Sequence, residues 1–305
     1  MAGENIKNIA IKRKKRRIGE WIIEKLLFGT AVISVFTTLA ILGVLLFEAV
    51  GFFGEVSIID FFTGTQWTPL FKDQQFGILP LIGGTLLVTA IAIGVAIPIG
   101  LGSAVFLSEY APNRIRKTIK PILEILAGIP TVVYGYFALT FVSPILQTIF
   151  PELIVFNALS AGLVMGIMII PMVASLSEDA MMAVPQSFRD GAYALGARKH
   201  EVSLGIVIPS ALSGIIASFV LAISRAVGET MIVSIAAGST PRLTLNPLES
   251  IQTMTGYISQ ISLGEVPFGS LEYKTIFSVG LTLFLMTLVI NIIGQWIAKR
   301  YWRRY

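Results

Sequence analysis

The sequence predicts an all-α, polytopic membrane protein with about six transmembrane helices and both termini on the cytoplasmic side. Three observations lead there. Of 305 residues, 54% are hydrophobic and 13% are charged, whereas a soluble domain carries roughly 25% charged residues. The apolar residues fall into long runs, each able to cross a hydrocarbon core at 1.5 Å of rise per residue. Most of the 23 Lys and Arg lie in the first 25 residues, in 114–120 and in the last seven residues, so the net charge of +5 reports topology through the excess of basic residues on the cytoplasmic side.

The first stretch, residues 1–25, is a basic arm with Lys12-Arg13-Lys14-Lys15-Arg16-Arg17 beside a span. It reads as a surface helix or flexible lead-in held near anionic lipid rather than as a nucleic-acid contact. The first span, about Leu26–Val50, is too long for a signal-peptide core and is followed by no small-residue cleavage site, so it stays as an anchor. Residues 51–78 are turn-rich and are placed outside. The second span, about Leu79–Leu107, contains Pro98 and should kink. Residues 108–120, with Arg114, Arg116, Lys117 and Lys120, read as a cytoplasmic loop.

The third span, about Pro121–Ile149, is interrupted by Gly128-Ile129-Pro130. Such a break is tolerated where neighbouring helices or a water-filled path satisfy the freed backbone groups. Thr131 and Tyr134 place hydroxyls beside it, the tyrosine reading mainly as a packing aromatic. The fourth span, about Leu153–Leu176, carries Gly162 and Gly166, a small-residue seam for close helix packing. Residues 177–205 form a polar, helical cytoplasmic loop. The fifth span, about Ile206–Ala237, leads to a long outer segment, 238–274, and the sixth, about Thr275–Ala298, ends in Lys299-Arg300. The chain thus divides into the arm, 1–25, and a membrane domain, 26–305, with its core over 79–298.

These features exclude much. There is no Cys, and the one His, His200, cannot build a metal site alone. No carboxylate cluster, His pair or activated nucleophile lies in the spans, so no enzyme is expected. Nor is there a Gly-x4-Gly-Lys-[Ser/Thr] phosphate loop, and any ATP and Mg chemistry belongs to another subunit.

Two stretches carry function. In the cytoplasmic loop, Asp190-Gly191-Ala192, three residues, Gly196, nine residues and then Ile206-Val207-Ile208-Pro209 make a small, partly apolar helix end. Ala192 and Leu195 supply apolar surface, Gly196 lets the chain turn into a second helix, and Arg189, Asp190, Arg198, Lys199 and Glu201 form a polar rim suited to a protein partner. An ordinary amphipathic connector is the other reading. In the fifth span, Ser224-Arg225-Ala226-Val227-Gly228-Glu229-Thr230 buries two opposite charges. Four residues apart, Arg225 and Glu229 would share one helix face, about 6 Å apart along the axis. Each charge costs about 2.5–3.5 kcal/mol at a helix centre. They form either a structural ion pair or a site where Arg225 meets an anion and Glu229 balances it when empty. The planar guanidinium suits phosphate-like oxyanions.

The loop spacing resembles the EAA loop of ABC-importer permeases, with Asp190-Gly191-Ala192 in place of Glu-Ala-Ala. The charged segment, together with Gly128–Gly135, Phe76–Thr85 and the region from Asn246 to Thr255, is similar to the PstC-type permease subunits of phosphate ABC transporters. That resemblance runs from about residue 60 to the end. It implies the ABC importer permease fold in the inner membrane of a bacterium or archaeon and a role in importing inorganic phosphate. It also implies a heterodimer with a PstA-like permease, a PstB-like ATPase dimer that holds ATP and Mg, and a PstS-like binding protein outside, with no cofactor on this chain. By the same resemblance Arg225 and Glu229 are implicated in phosphate passage, while Asp190, Gly191, Ala192, Leu195, Gly196, Ile206 and Pro209 dock the ATPase. A permease for molybdate or sulfate, and a stand-alone secondary transporter or channel, are the alternatives.

Overall fold

A computed structural model of the chain describes residues 2–264 and 266–302, with side chains over 20–264 and 266–300. The regular secondary structure among the described residues is helical, with one isolated antiparallel bridge between Trp67 and Phe76. The elements are α1 (Ala2–Phe53), α2 (Ile58–Thr63), α3 (Leu79–Val105), α4 (Asn113–Ala127), α5 (Thr131–Phe137), α6 (Ser143–Ile149), α7 (Ala158–Met182), α8 (Gln186–Ala194), α9 (Lys199–Val202), α10 (Ile208–Val227), α11 (Met254–Leu263) and α12 (Leu271–Trp302). Wide π-helical turns prolong α3 over Phe106–Tyr110, join α5 to α6, and join α9 to α10 over Ser203–Val207. Six of the resulting stretches are long and apolar enough to cross a membrane: Glu20–Phe53, Leu79–Tyr110, Thr131–Ile149, Ala158–Met182, Lys199–Val227 and Leu271–Arg300.

Several expected boundaries move, among them the starts of the third and fifth spans, which lie at Thr131 and Lys199 rather than at Pro121 and Ile206. The backbone of the arm continues α1 without a break from Ala2, while the side chains of Lys12 to Arg17, and those of residues 301–305 at the other end, lie outside the described residues. The loop expected at 108–120 is mostly helix, because α4 starts at Asn113 and carries Pro121 in its interior. The loop expected over 177–205 begins later, since α7 runs to Met182. Finally, the fifth span stops at Val227, where Gly228 caps it, and not at Ala237.

Packing is densest where α3 lies against α7. A Cβ on Gly166 would sit 2.8 Å from the Ala92 carbonyl oxygen, and one on Gly162 would sit 2.7 Å from Ile91 Cβ. The small-residue seam therefore lets two backbones approach to contact, which in lipid is a principal source of helix association. The central core is built on this pair, with Val88, Ala92 and Ala96 of α3, Met165, Met168 and Ile169 of α7, and Ala222 and Ala226 of α10. Ser177 and Ser218 hydrogen-bond at 2.8 Å between α7 and α10.

A second cluster closes one end of the bundle. Phe52, Phe61, Trp67 and Tyr257 meet edge to face there, with Ile78, Leu81, Met254 and Val279 around them. The third lies at the opposite end, where Ala104, Met181, Val184, Ala192, Val202 and Val207 hold α8 and α9 against the ends of α3 and α7. By contrast, the apolar stretch of α1 leaves its large side chains exposed and packs mainly along α12. A helix that is apolar all round and unburied presents itself to lipid.

The orphan N–H groups at the start of α7 are all met. Ala158 and Leu159 donate to the carbonyls of Glu249 and Pro247, and Ser160 donates to the Asn157 side chain at 2.7 Å. The segment before α11 is thereby fixed to the top of α7.

The seam makes a direct prediction. Gly166→Leu should lower the midpoint of thermal unfolding in detergent, because overpacking of this kind costs about 1–3 kcal/mol. Gly94→Ala, at a position open to at least 4 Å within α3, should not lower the midpoint in the same measurement.

Candidate functional site

Arg225 lies in the last turn of α10 and lines a cavity of about 230 Å³ with Leu123, Glu124 and Ala127 of α4 and Met168, Pro171, Met172, Ser175 and Leu176 of α7. Its guanidinium is exposed, and Nη2 lies 3.9 Å from Met168 Sδ. Among the described residues it joins no ion pair. An Arg fork without a carboxylate partner in an apolar-walled cavity retains paired donors for an incoming anion.

The expected Arg225–Glu229 face does not form. Because α10 ends at Gly228, Glu229 leaves the helix and turns inward, where it is 8% exposed. Its Oε1 accepts the N–H of Met231 at 3.1 Å and of Ile232 at 3.4 Å, and its carbonyl accepts the Thr255 hydroxyl at 2.7 Å. The carboxylate thus caps the helical segment that follows, a favourable place for negative charge. It does not line the Arg225 cavity; Glu124 does.

Thr131 and Tyr134 also lie outside that lining. Thr131 opens α5 directly after the break. The Tyr134 hydroxyl donates to the Leu126 carbonyl at 3.0 Å, and its ring packs on the central core. It supplies a partner for a backbone group freed by the break, as a non-helical segment inside a membrane requires.

Opposite the break, α4 is fastened to α7. Glu178, fully buried, meets Arg116 Nε at 2.6 Å and Lys120 Nζ at 2.7 Å, and Lys120 also meets Asp179 at 2.5 Å. Burial alone would lower the Lys120 pKa, but hydrogen bonds and charge from Asp179 and Glu178 outweigh it and hold the ammonium above the ordinary lysine value. The lysine side of the contact therefore stays charged through neutral pH and is lost as alkali deprotonates the ammonium.

The loop after α7 separates into an outer face and an anchor. Asp190, Gly191, Leu195 and Gly196 are exposed, Leu195 to 90%, and Gly196 takes φ +84°, the left-handed turn that ends α8. Phe188 and Tyr193 are exposed beside this face; large apolar and aromatic residues in a polar loop were the available signal. Ala192 is buried and Ile206 is half-buried in the cluster beneath, while Pro209 starts α10. One residue expected on the rim turns out to be internal: Arg189 is buried against Glu109. Glu201 stays exposed and accepts the Arg198 N–H at 2.6 Å to cap α9.

Comparison with known proteins fits this architecture. Residues 96–304 match the family described as binding-protein-dependent transport system inner membrane component. The probable ABC transporter permease protein YqgH of Bacillus subtilis is 34% identical over 245 residues, 80% of this chain and 79% of the relative. The phosphate transport system permease protein PstC of Mesorhizobium japonicum is 33% identical over 259 residues, 79% of this chain and 78% of that protein. A probable PstC of Methanocaldococcus jannaschii is 30% identical over 98% of this chain and 99% of its own length. Among solved structures, a bacterial alginate ABC transporter in complex with its alginate pentasaccharide-bound periplasmic protein has the same fold. The TM-score is 0.63 at 16% identity, covering 91% of this chain and 95% of the other. Helix order, the six membrane-length stretches and these matches together make the chain a multi-pass inner-membrane permease, and it belongs to the binding-protein-dependent transport system inner membrane components, on their PstC-type branch.

Proposed function

We propose that the chain is the permease subunit of an ATP-driven importer of inorganic phosphate and forms one half of its translocation path. The observation that carries this is the unpaired Arg225 guanidinium in the cavity between α4, α7 and α10, taken with relatives named as phosphate transport permeases over most of the chain. Arg225 offers its fork to an oxyanion, and Met168 and Met172 form an apolar wall beside it. Glu229 serves the path at one remove: it fixes the backbone just beyond Arg225, and its charge shapes the field that an anion meets. Thr131 and Tyr134 hold the edge of the helix break in register with α7.

On this reading α8 and α9 face the cytoplasm, as do both termini. The exposed face of Asp190, Gly191, Leu195 and Gly196 docks one subunit of a PstB-like ATPase dimer, which binds ATP and Mg. A PstA-like permease completes the path, and a PstS-like binding protein outside supplies affinity and selectivity. Closure of the ATPases drives alternation between outward- and inward-facing states.

Two measurements test this. Labelled-phosphate uptake should appear when the chain is produced with its cognate partners in cells lacking their own high-affinity system. Arg225→Gln should lower that uptake at least about ten-fold at equal membrane abundance, the size expected when one charged hydrogen-bonding partner is removed. Inhibition by sulfate or molybdate, with phosphate ignored, would reassign the substrate. Separately, Gly196→Asp, which places a side chain in a left-handed turn on the docking face, should insert normally yet fail to retain the ATPase in a pull-down. Normal retention would contradict docking at this loop.

A further inference from the structure

The loop after α7 is attached to the membrane bundle in two different ways. On one side, α9 runs through Ser203–Val207 into α10, the helix whose last turn holds Arg225. On the other, α8 packs Ala192 into the cluster at the ends of α3 and α7, and its buried cation fastens it there. Arg189, 7% exposed, directs Nη2 to Glu109 Oε1 at 2.9 Å and to the Met181 carbonyl at 2.9 Å, and Nη1 to the Val184 carbonyl at 2.7 Å. Nε reaches Glu109 Oε2 at 3.4 Å. Glu109 lies in the π-helical turn that ends α3, and Met181 lies in the last turn of α7. One side chain therefore ties α8 to the ends of both helices of the glycine seam.

We propose that Arg189 and Glu109 are the positioning pair that makes α8 move with the α3–α7 body, so that motion of the docking loop is delivered to both walls of the Arg225 cavity. The proposal rests on the reading of this loop as the ATPase docking surface. Along the first wall, α3 and α7 lack room to slide at Gly162 and Gly166, and Arg116 and Lys120 hold α4 to α7 through Glu178. A displacement of α8 is then a displacement of Met168, Met172 and Glu124. Along the second wall, α9 and α10 are one continuous helical stretch, and a displacement of α9 moves Arg225. The cavity changes shape only if the two halves of the loop each grip their own wall. A bidentate, desolvated Arg–carboxylate contact with two added carbonyl acceptors has the rigidity that such a link needs.

The test uses the assembled transporter with Glu109→Gln, which removes the charge at constant shape, and Arg189→Lys, which keeps the charge but loses the fork. Both variants should retain the ATPase in a pull-down and hydrolyse ATP near the wild-type rate, while phosphate taken up per ATP falls about ten-fold or more, as for loss of one partner of a buried pair. Wild-type uptake per ATP would overturn the proposal, as would loss of ATPase retention, which would leave the pair merely shaping the docking face.

A second readout needs no substrate. The chain has no cysteine, so Ser187→Cys on α8 and Gly102→Cys on α3 give a unique spin-label pair within it. The distance distribution should be narrow in the otherwise native chain and broaden with Glu109→Gln. An unchanged distribution would overturn the link. If the native assembly imports no phosphate, the substrate reading fails while this distance still reports on the pair.

Discussion

Gly162 and Gly166 meet Ile91 and Ala92 without space for a methyl group, and the rest of the membrane domain is hung on that contact. In lipid the hydrophobic effect does little to drive one apolar helix onto another, so close backbone approach and a few interhelical hydrogen bonds must do it. From the α3–α7 pair extend the buried Glu178 contact to α4, the Ser177–Ser218 bond to α10, the Arg189 contact to α8, and the carbonyls of Pro247 and Glu249 that cap α7. Removing the pair would leave each of these with a single side.

The functional region is made of helix interruptions around this rigid pair. Each interruption frees backbone groups, and each has a local solution. Tyr134 meets the Leu126 carbonyl at the Gly128-Ile129-Pro130 break, and Glu229 meets the N–H groups after the Gly228 break. Irregular backbone within a membrane protein is tolerated where protein or a water-lined cavity surrounds it, and the Arg225 cavity adjoins the ends of both α4 and α10. That places the only cation of the cavity lining where the helices are already discontinuous.

Much of this was legible in the residues. Apolar run length predicts six crossings because hydrocarbon thickness sets helix length, and Gly162 with Gly166 announces the seam because small residues four apart share a face. The Asp190 to Pro209 spacing marks the loop that ends in an exposed Leu195. Other features were not legible, for physical reasons. A basic stretch such as 113–120 has the same composition in a loop or an amphipathic helix, and only the distant Glu178 makes Arg116 and Lys120 structural. Four-residue spacing pairs Arg225 with Glu229 only if the helix continues through Gly228, and the buried cap at Met231 and Ile232 wins instead. Arg189 reads as a rim charge locally, since its partner Glu109 is 80 positions away. Tertiary partners, not periodicity, decide such residues.

The central claim is that an anion enters the cavity and meets Arg225. Ser175 is half-buried in the same lining, and in a chain with no cysteine Ser175→Cys is a single reporter. The most direct measurement is the rate at which a small thiol reagent modifies it in the assembled transporter, with and without phosphate. The account predicts that phosphate slows modification, that sulfate at equal concentration does so less, and that Arg225→Gln abolishes the protection. A rate indifferent to phosphate, or protection that survives the loss of Arg225, would contradict it.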